Sequence, residues 1–87
     1  MKHYVYIIEC QNGSYYTGYT TDVARRYEEH KTGVNCKYTR SFPPKKLQAF
    51  WVFDHKSDAL RIEYKIKLLS KAQKKRLIVT KDLLLCE

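Results

Sequence analysis

The chain has 87 residues, 44% hydrophobic and 14% aromatic, enough for one small packed core and too few for a separate regulatory domain. Seventeen Lys and Arg against nine Asp and Glu give a formal net charge of +8, a field that favours polyanions, nucleic acid ahead of anionic membrane. No run approaches the ~20 apolar residues of a membrane span, and "MKHYVYIIEC" lacks the length and cleavage site of a signal peptide.

Three cysteines, Cys10, Cys36 and Cys86, form an odd set without CxxC spacing. That argues against a disulfide framework and a zinc ribbon, and the expected setting is a reducing cytoplasm with free thiols. Residues 3–9 and 15–20 are rich in β-branched and aromatic side chains, with "QNGS" between them, a hairpin signature. Five of the eight tyrosines lie here: Tyr4, Tyr6, Tyr15, Tyr16 and Tyr19.

The turn decides which of them share a face. A two-residue type I′ turn on Asn12-Gly13 pairs Cys10 with Tyr15 and sends Tyr6 and Tyr16 to opposite faces. A three-residue loop, Gln11-Asn12-Gly13 with a left-handed Gly13, pairs Cys10 with Ser14 and puts Tyr4, Tyr6 and Ile8 beside Tyr16, Gly18 and Thr20. Propensity does not choose between the two. In the second register Gly18 falls opposite Tyr6. A strand glycine marks either a close approach or the start of a bend into the next element.

Thr21 or Asp22 can cap the helix that "VARRYEEHK" predicts. Val23, Ala24 and Tyr27 fall on its core side. Arg26 and His30, four apart, are neighbours on the flank of that stripe. Such an arginine can neutralise a phosphate and such a histidine can hold a proton; a solvated arginine beside a partly packed histidine is the ordinary alternative. Residues 32–46 hold two prolines, one glycine and four basic residues, and read as a loop carrying Lys37, Arg40, Lys45 and Lys46. "LQAFWVF", 47–53, is the third strand.

Ser57 or Asp58 can cap a longer helix over 58–69. Ala59, Ile62, Ile66 and Leu69 form one apolar stripe and Leu60, Tyr64 and Leu68 a second, so the helix is expected to be sandwiched between elements. Arg61 and Lys65 fill one gap; Glu63 and Lys67 fill the other, with Glu63 less than fully solvated. An i,i+4 ion pair is the ordinary reading of Glu63. A carboxylate ligand for Mg²⁺, which binds through one or two carboxylates plus phosphate and water, is the other. "KAQKKRLIV" predicts a shorter final helix. The predicted fold is α+β, β-β-α-β-α-α, a three-stranded antiparallel sheet flanked by helices. The whole of 1–87 is expected to be one domain, with residues 79–87 a weakly determined tail.

Taken together these residues resemble the GIY-YIG nuclease family. Tyr4-Val5-Tyr6 is similar to its "GIY" element and Tyr16-Thr17-Gly18 to its "YIG" element. Arg26 and His30 match the arginine and histidine of the following helix, and Glu63 matches the glutamate of the later one. The likeness spans residues 3 to 78 and is strongest to small stand-alone members. It implies a divalent-metal-dependent DNA endonuclease with one Mg²⁺ (or Mn²⁺) held by Glu63. It further implies Tyr6 as general base toward water and Tyr16 positioning that water or the phosphate. Arg26 would stabilise the transition state, and His30 would assist Tyr6 or hold the phosphate. Tyr4 replaces the glycine of the family motif, and an asparagine of some larger relatives has no counterpart.

Larger relatives fuse the nuclease to a targeting module, and the chain ends where one would begin. A protein partner that supplies targeting is therefore expected, with Lys37, Arg40, Lys45, Lys46, Arg61 and Lys65 as the chain's own grip on DNA phosphates. Branched, damaged or otherwise distorted DNA, met in repair or recombination, is the expected substrate. The rivals are a non-catalytic nucleic-acid-binding module, its tyrosines stacking bases, and a small partner of a repair complex.

Overall fold

A computed structural model describes residues 1–33 and 42–83. The elements run β1 (His3–Cys10), β2 (Tyr15–Thr20), α1 (Val23–Thr32), β3 (Pro44–Phe53), α2 (Lys56–Lys67) and α3 (Lys71–Thr80). The strands form one antiparallel sheet in the order β2-β1-β3. This is the expected α+β fold in the expected element order.

The hairpin adopts the three-residue loop. The Cys10 N–H donates to the Ser14 carbonyl at 2.8 Å, and the Gly13 N–H donates back to Cys10 at 2.9 Å. Gly13 has φ 85°, a left-handed conformation that glycine adopts without a steric cost. Asn12 fixes the tip, accepting from the Ser14 N–H and hydroxyl. Tyr6 consequently pairs with Gly18, Tyr4 with Thr20 and Ile8 with Tyr16.

Period-2 alternation then divides the sheet into two faces. On one face Val5 and Ile7 pack with Ala59, Ile62 and Ile66 of α2 and Leu77 of α3, and Tyr15 and Tyr19 close the edge of that core. On the other face Tyr6, Ile8 and Cys10 pack with Tyr16, Leu47 and Tyr27 of α1. Cys10 is a buried free thiol whose pKa is raised by burial; Cys36 and Cys86 lie outside the described residues.

Several expectations need correction. The third strand begins at Pro44, not Leu47, so Lys45 and Lys46 stand exposed on β3 and not in a loop. Proline is tolerated there because the first residue of an edge strand need not donate to a ladder. Lys37 and Arg40 lie outside the described residues. Asp22 is the cap of α1, accepting the Arg25 N–H at 3.0 Å. Ala24, expected toward the core, is exposed, and the buried residue of α1 is His30.

Helix α2 starts at Lys56 behind His55, two residues before the expected start and with no side-chain cap. Asp58 lies instead in its first turn and pairs with Arg61 at 3.3 Å. The stripe of Ala59, Ile62 and Ile66 is buried as expected, but Leu60, Tyr64 and Leu68 are exposed, so α2 is covered on one side and not sandwiched. Helix α3 opens with a capping box between Ser70 and Gln73.

Candidate functional site

The site lies on the α1 face and grows from the hairpin register. Because Gly18 has no side chain, the Tyr6 ring lies across it; a Cβ there would sit 2.5 Å from Tyr6 Cζ. The glycine in the strand therefore serves a close approach, and what approaches is the neighbouring strand's own phenol. That ring reaches toward α1, where the Tyr6 hydroxyl and His30 Nε2 are 2.8 Å apart. Tyr16, diagonal to Tyr6 on the same face, stacks edge-on to the imidazole with centroids 5.0 Å apart. Its ring centroid lies 6.4 Å from that of Tyr6. Tyr6, Tyr16 and His30 thus form one triangular cluster, and Gly18 makes room for it.

The cluster is deep. Tyr6 is 2% exposed and His30 1%, so the imidazole is buried where helical periodicity put it only on a flank. Burial pushes the His30 pKa down to about 4; the positive charge of Arg26, one turn away, lowers it further and Glu29 opposes it. At neutral pH the ring carries no proton charge, so one nitrogen donates and the other accepts. Arg26 itself contacts Glu29 at 3.2 Å, both side chains being largely covered. The i,i+3 spacing of Arg26 and Glu29 in "RRYEE" is the sequence signal for this pair.

Glu63 belongs to the other layer, on α2. Its side chain is 16% exposed and its carboxylate pairs with Lys67 at 3.4 Å. The ordinary i,i+4 pair is thus present, and so is the partial burial. The structure brings Tyr6, Tyr16, His30 and Gly18 together; the contacts described for Glu63 do not reach that cluster. Among the described residues no group of three or more His, Cys, Asp or Glu converges on a cation-sized site. A single carboxylate suits Mg²⁺, which keeps most of its water and takes substrate phosphate oxygens, better than an ion needing a full protein cage. Arg61 is engaged by Asp58, and Lys65 stands half-buried on the same helix.

Phe50 was not anticipated. It sits directly across from Tyr6 on β3 and is 52% exposed, with the Tyr4 ring edge-on to it at 6.1 Å. Alternation along "LQAFWVF" could have flagged it only once the register against β1 was known. No helix among the described residues is long and apolar enough to cross a membrane.

Residues 2–76 match the family model described as the GIY-YIG catalytic domain. The chain is 52% identical over 81 residues to the UPF0213 protein BH0048 of Halalkalibacterium halodurans, covering 93% of this chain and 86% of the relative. It is 57% identical over 75 residues to the UPF0213 protein VNG_2274C of Halobacterium salinarum, covering 86% and 97%. Its fold resembles the solution NMR structure of the UPF0213 protein BH0048 from Bacillus halodurans, with a TM-score of 0.61. It also resembles that of the protein EF2693 from E. faecalis, with a TM-score of 0.63, 37% identity and coverage of 92% and 85%. Those motifs, that cluster and the match over most of the chain agree, and the chain belongs to the GIY-YIG family.

Proposed function

We propose that this protein hydrolyses phosphodiester bonds of DNA, with Glu63 holding one Mg²⁺ or Mn²⁺. The observation that carries the reading is the 2.8 Å contact between Tyr6 and a neutral His30. A phenol with a pKa near 10 is a poor base at pH 7. The unprotonated imidazole nitrogen lies within reach of that proton, and it accepts it only when its basicity rises above the low value burial gives it. Tyr6 takes a proton from the attacking water as the water oxygen bonds to phosphorus, and its own proton passes to His30. The phosphate's negative charge, arriving beside the imidazole, raises its basicity when a proton must be held.

Tyr16, partly exposed above the pair, orients the water or the phosphate. Arg26 exchanges its contact with Glu29 for the phosphate and stabilises the charge that grows on its oxygens as the bond to the 3′ oxygen breaks, the 3′ oxygen taking its proton from solvent water. The divalent ion, when bound, supplies Lewis acidity at the phosphate and at the departing oxygen. Lys45, Lys46, Arg61 and Lys65 grip the backbone without reading sequence. Targeting to repair or recombination intermediates comes from a protein partner.

Incubation with nicked, flapped and branched DNA plus Mg²⁺ or Mn²⁺ tests this. Cleavage that Glu63→Ala abolishes is expected, and cleavage no greater than that of the Glu63→Ala protein overturns the reading. One observation favours a second reading, a non-catalytic nucleic-acid-binding module: Tyr6 and His30 are almost wholly buried and already satisfy each other. Under that reading Glu63→Ala leaves DNA binding intact or tightens it, because only a carboxylate near a polyanion is lost.

A further inference from the structure

Beside the cluster, where β1 and β3 meet the start of α1, lies an open cleft of about 390 Å³. We propose that it seats one unpaired nucleobase of the DNA, stacked on Phe50, next to the phosphate to be cut. The proposal rests on the reading of the protein as a DNA-cleaving enzyme and specifies its substrate: DNA with an unpaired nucleotide at the scissile position.

The cleft is lined by Tyr4, Thr21, Asp22, Val23, Ala24 and Phe50. Its size lies in the range of roughly 300–1,000 Å³ usual for small-ligand sites. Its walls are two aromatic rings, Phe50 and Tyr4, set edge to face at 66°. Tyr4 closes one edge of Phe50 and leaves that ring half exposed. A base stacks on such a face whatever its identity, because every base has a π-face. The charge of the lining selects a base over a phosphate: among the described residues it has no lysine or arginine, and its one carboxylate is that of Asp22. A phosphate would be repelled there. The amino and imino edge of a base, by contrast, meets acceptors in Asp22 and the Thr21 hydroxyl.

Position ties the cleft to the chemistry. Phe50 is the cross-strand partner of Tyr6, and Tyr4 is two residues from Tyr6 on the same face. Directly paired side chains stand about 4.5–5.5 Å apart at Cβ. A base on Phe50 therefore belongs to a nucleotide adjoining the one whose phosphate faces Tyr6. In a closed duplex both faces of that base are already stacked, so only a flap, gap, bulge or frayed end presents one.

The test uses the full chain in EDTA, so that binding is read without cutting. A flapped duplex carries 2-aminopurine in its unpaired strand, and a fully paired duplex of the same sequence serves for comparison. The protein is expected to quench the 2-aminopurine and to bind the flap more tightly than the duplex. Phe50→Ala is expected to abolish the quench and to weaken flap binding about tenfold, with duplex binding and the urea midpoint unchanged; Phe50→Trp should restore both. Ala24→Leu, which narrows the cleft from the α1 side and leaves residue 50 unchanged, should reproduce the loss.

Quenching that survives Phe50→Ala, equal losses on flap and duplex, or no quenching by the unmodified protein overturns the proposal. Cleavage of DNA without Phe50-dependent quenching removes the base site and leaves the nuclease standing. Phe50-dependent quenching without cleavage retains the base site and removes the nuclease.

Discussion

The two faces of one three-stranded sheet hold different chemistry. Against α2 and α3, odd-numbered residues of β1 build an apolar core of Val5, Ile7, Ala59, Ile62, Ile66 and Leu77. Against α1, the even-numbered residues of the same strand build a smaller cluster whose centre is polar, a phenol bonded to a buried imidazole. The first arrangement needs only volume and shape, so any well-packed hydrophobic set would serve. The second needs particular atoms, since each buried polar group must find a partner. One layer supplies the stability that lets the other keep a costly buried histidine.

The largest expected effect breaks the apolar side. Ile66 is fully buried beneath the sheet, and Ile66→Ala should cost about 2–5 kcal/mol through lost burial and the cavity left behind. Urea unfolding at pH 7 reads that loss, and its size should hardly change with pH, because the buried residues packed with it, Val5, Ile7, Ala59, Ile62 and Leu77, carry no titratable group.

Acid attacks the other side. The His30 pKa is about 4 in the folded chain, below its ordinary 6.5. Between those values the unfolded chain binds a proton that the folded chain does not. Stability is therefore full above about pH 6.5 and falls as the pH drops toward 4, by about 3 kcal/mol in total at about 1.36 kcal/mol per pH unit. Urea unfolding at pH 7, 5.5 and 4 should trace this decline. A His30→Gln protein, although less stable at pH 7, should lose that portion of the slope. An unchanged slope would mean that the imidazole is not held neutral by burial.

Gly18→Ala sharpens the comparison with a smaller effect. The added Cβ would collide with the Tyr6 ring, which is walled in and moves only at the expense of its contact with His30. Overpacking of this kind costs about 1–3 kcal/mol. Under the proposed mechanism cleavage depends on the Tyr6 position, so it should suffer more than the unfolding midpoint does. Equal losses of both would make Gly18 a packing residue only.

Much of this division was legible in the residues. The alternation of Tyr4, Tyr6 and Ile8 with Val5 and Ile7 gave two faces, and the motif residues ordered the cluster. The register stayed open between two turns because Asn12-Gly13 suits both; the left-handed Gly13 and the Ser14 bond to Cys10 decided it. His30 lies deeper than helical periodicity places it, because periodicity weighs hydrophobicity and cannot see that Tyr6 offers the imidazole a partner. Pro44, Lys45 and Lys46 read as loop because proline and charge disfavour strands in general; at the start of an edge strand both are tolerated. The exposed stripe of Leu60, Tyr64 and Leu68 has the same spacing as the buried one, so the pattern alone could not tell which would be covered.

The three-residue turn also gives the hairpin a parity. In every pair between β1 and β2 the two residue numbers add to the same even total, so partners share a side only when both are odd or both even. A register slip of one residue, at either strand, makes that total odd. Every tyrosine of β2 then exchanges faces, and Tyr16 moves into the apolar core while Tyr15 and Tyr19 arrive beside Tyr6. A slip of two restores the sides but takes Gly18 away from the Tyr6 ring. The tip of the hairpin thus acts as the alignment mark of the Tyr6–Tyr16–His30 cluster: a sliding strand has no intermediate position between assembled and scrambled.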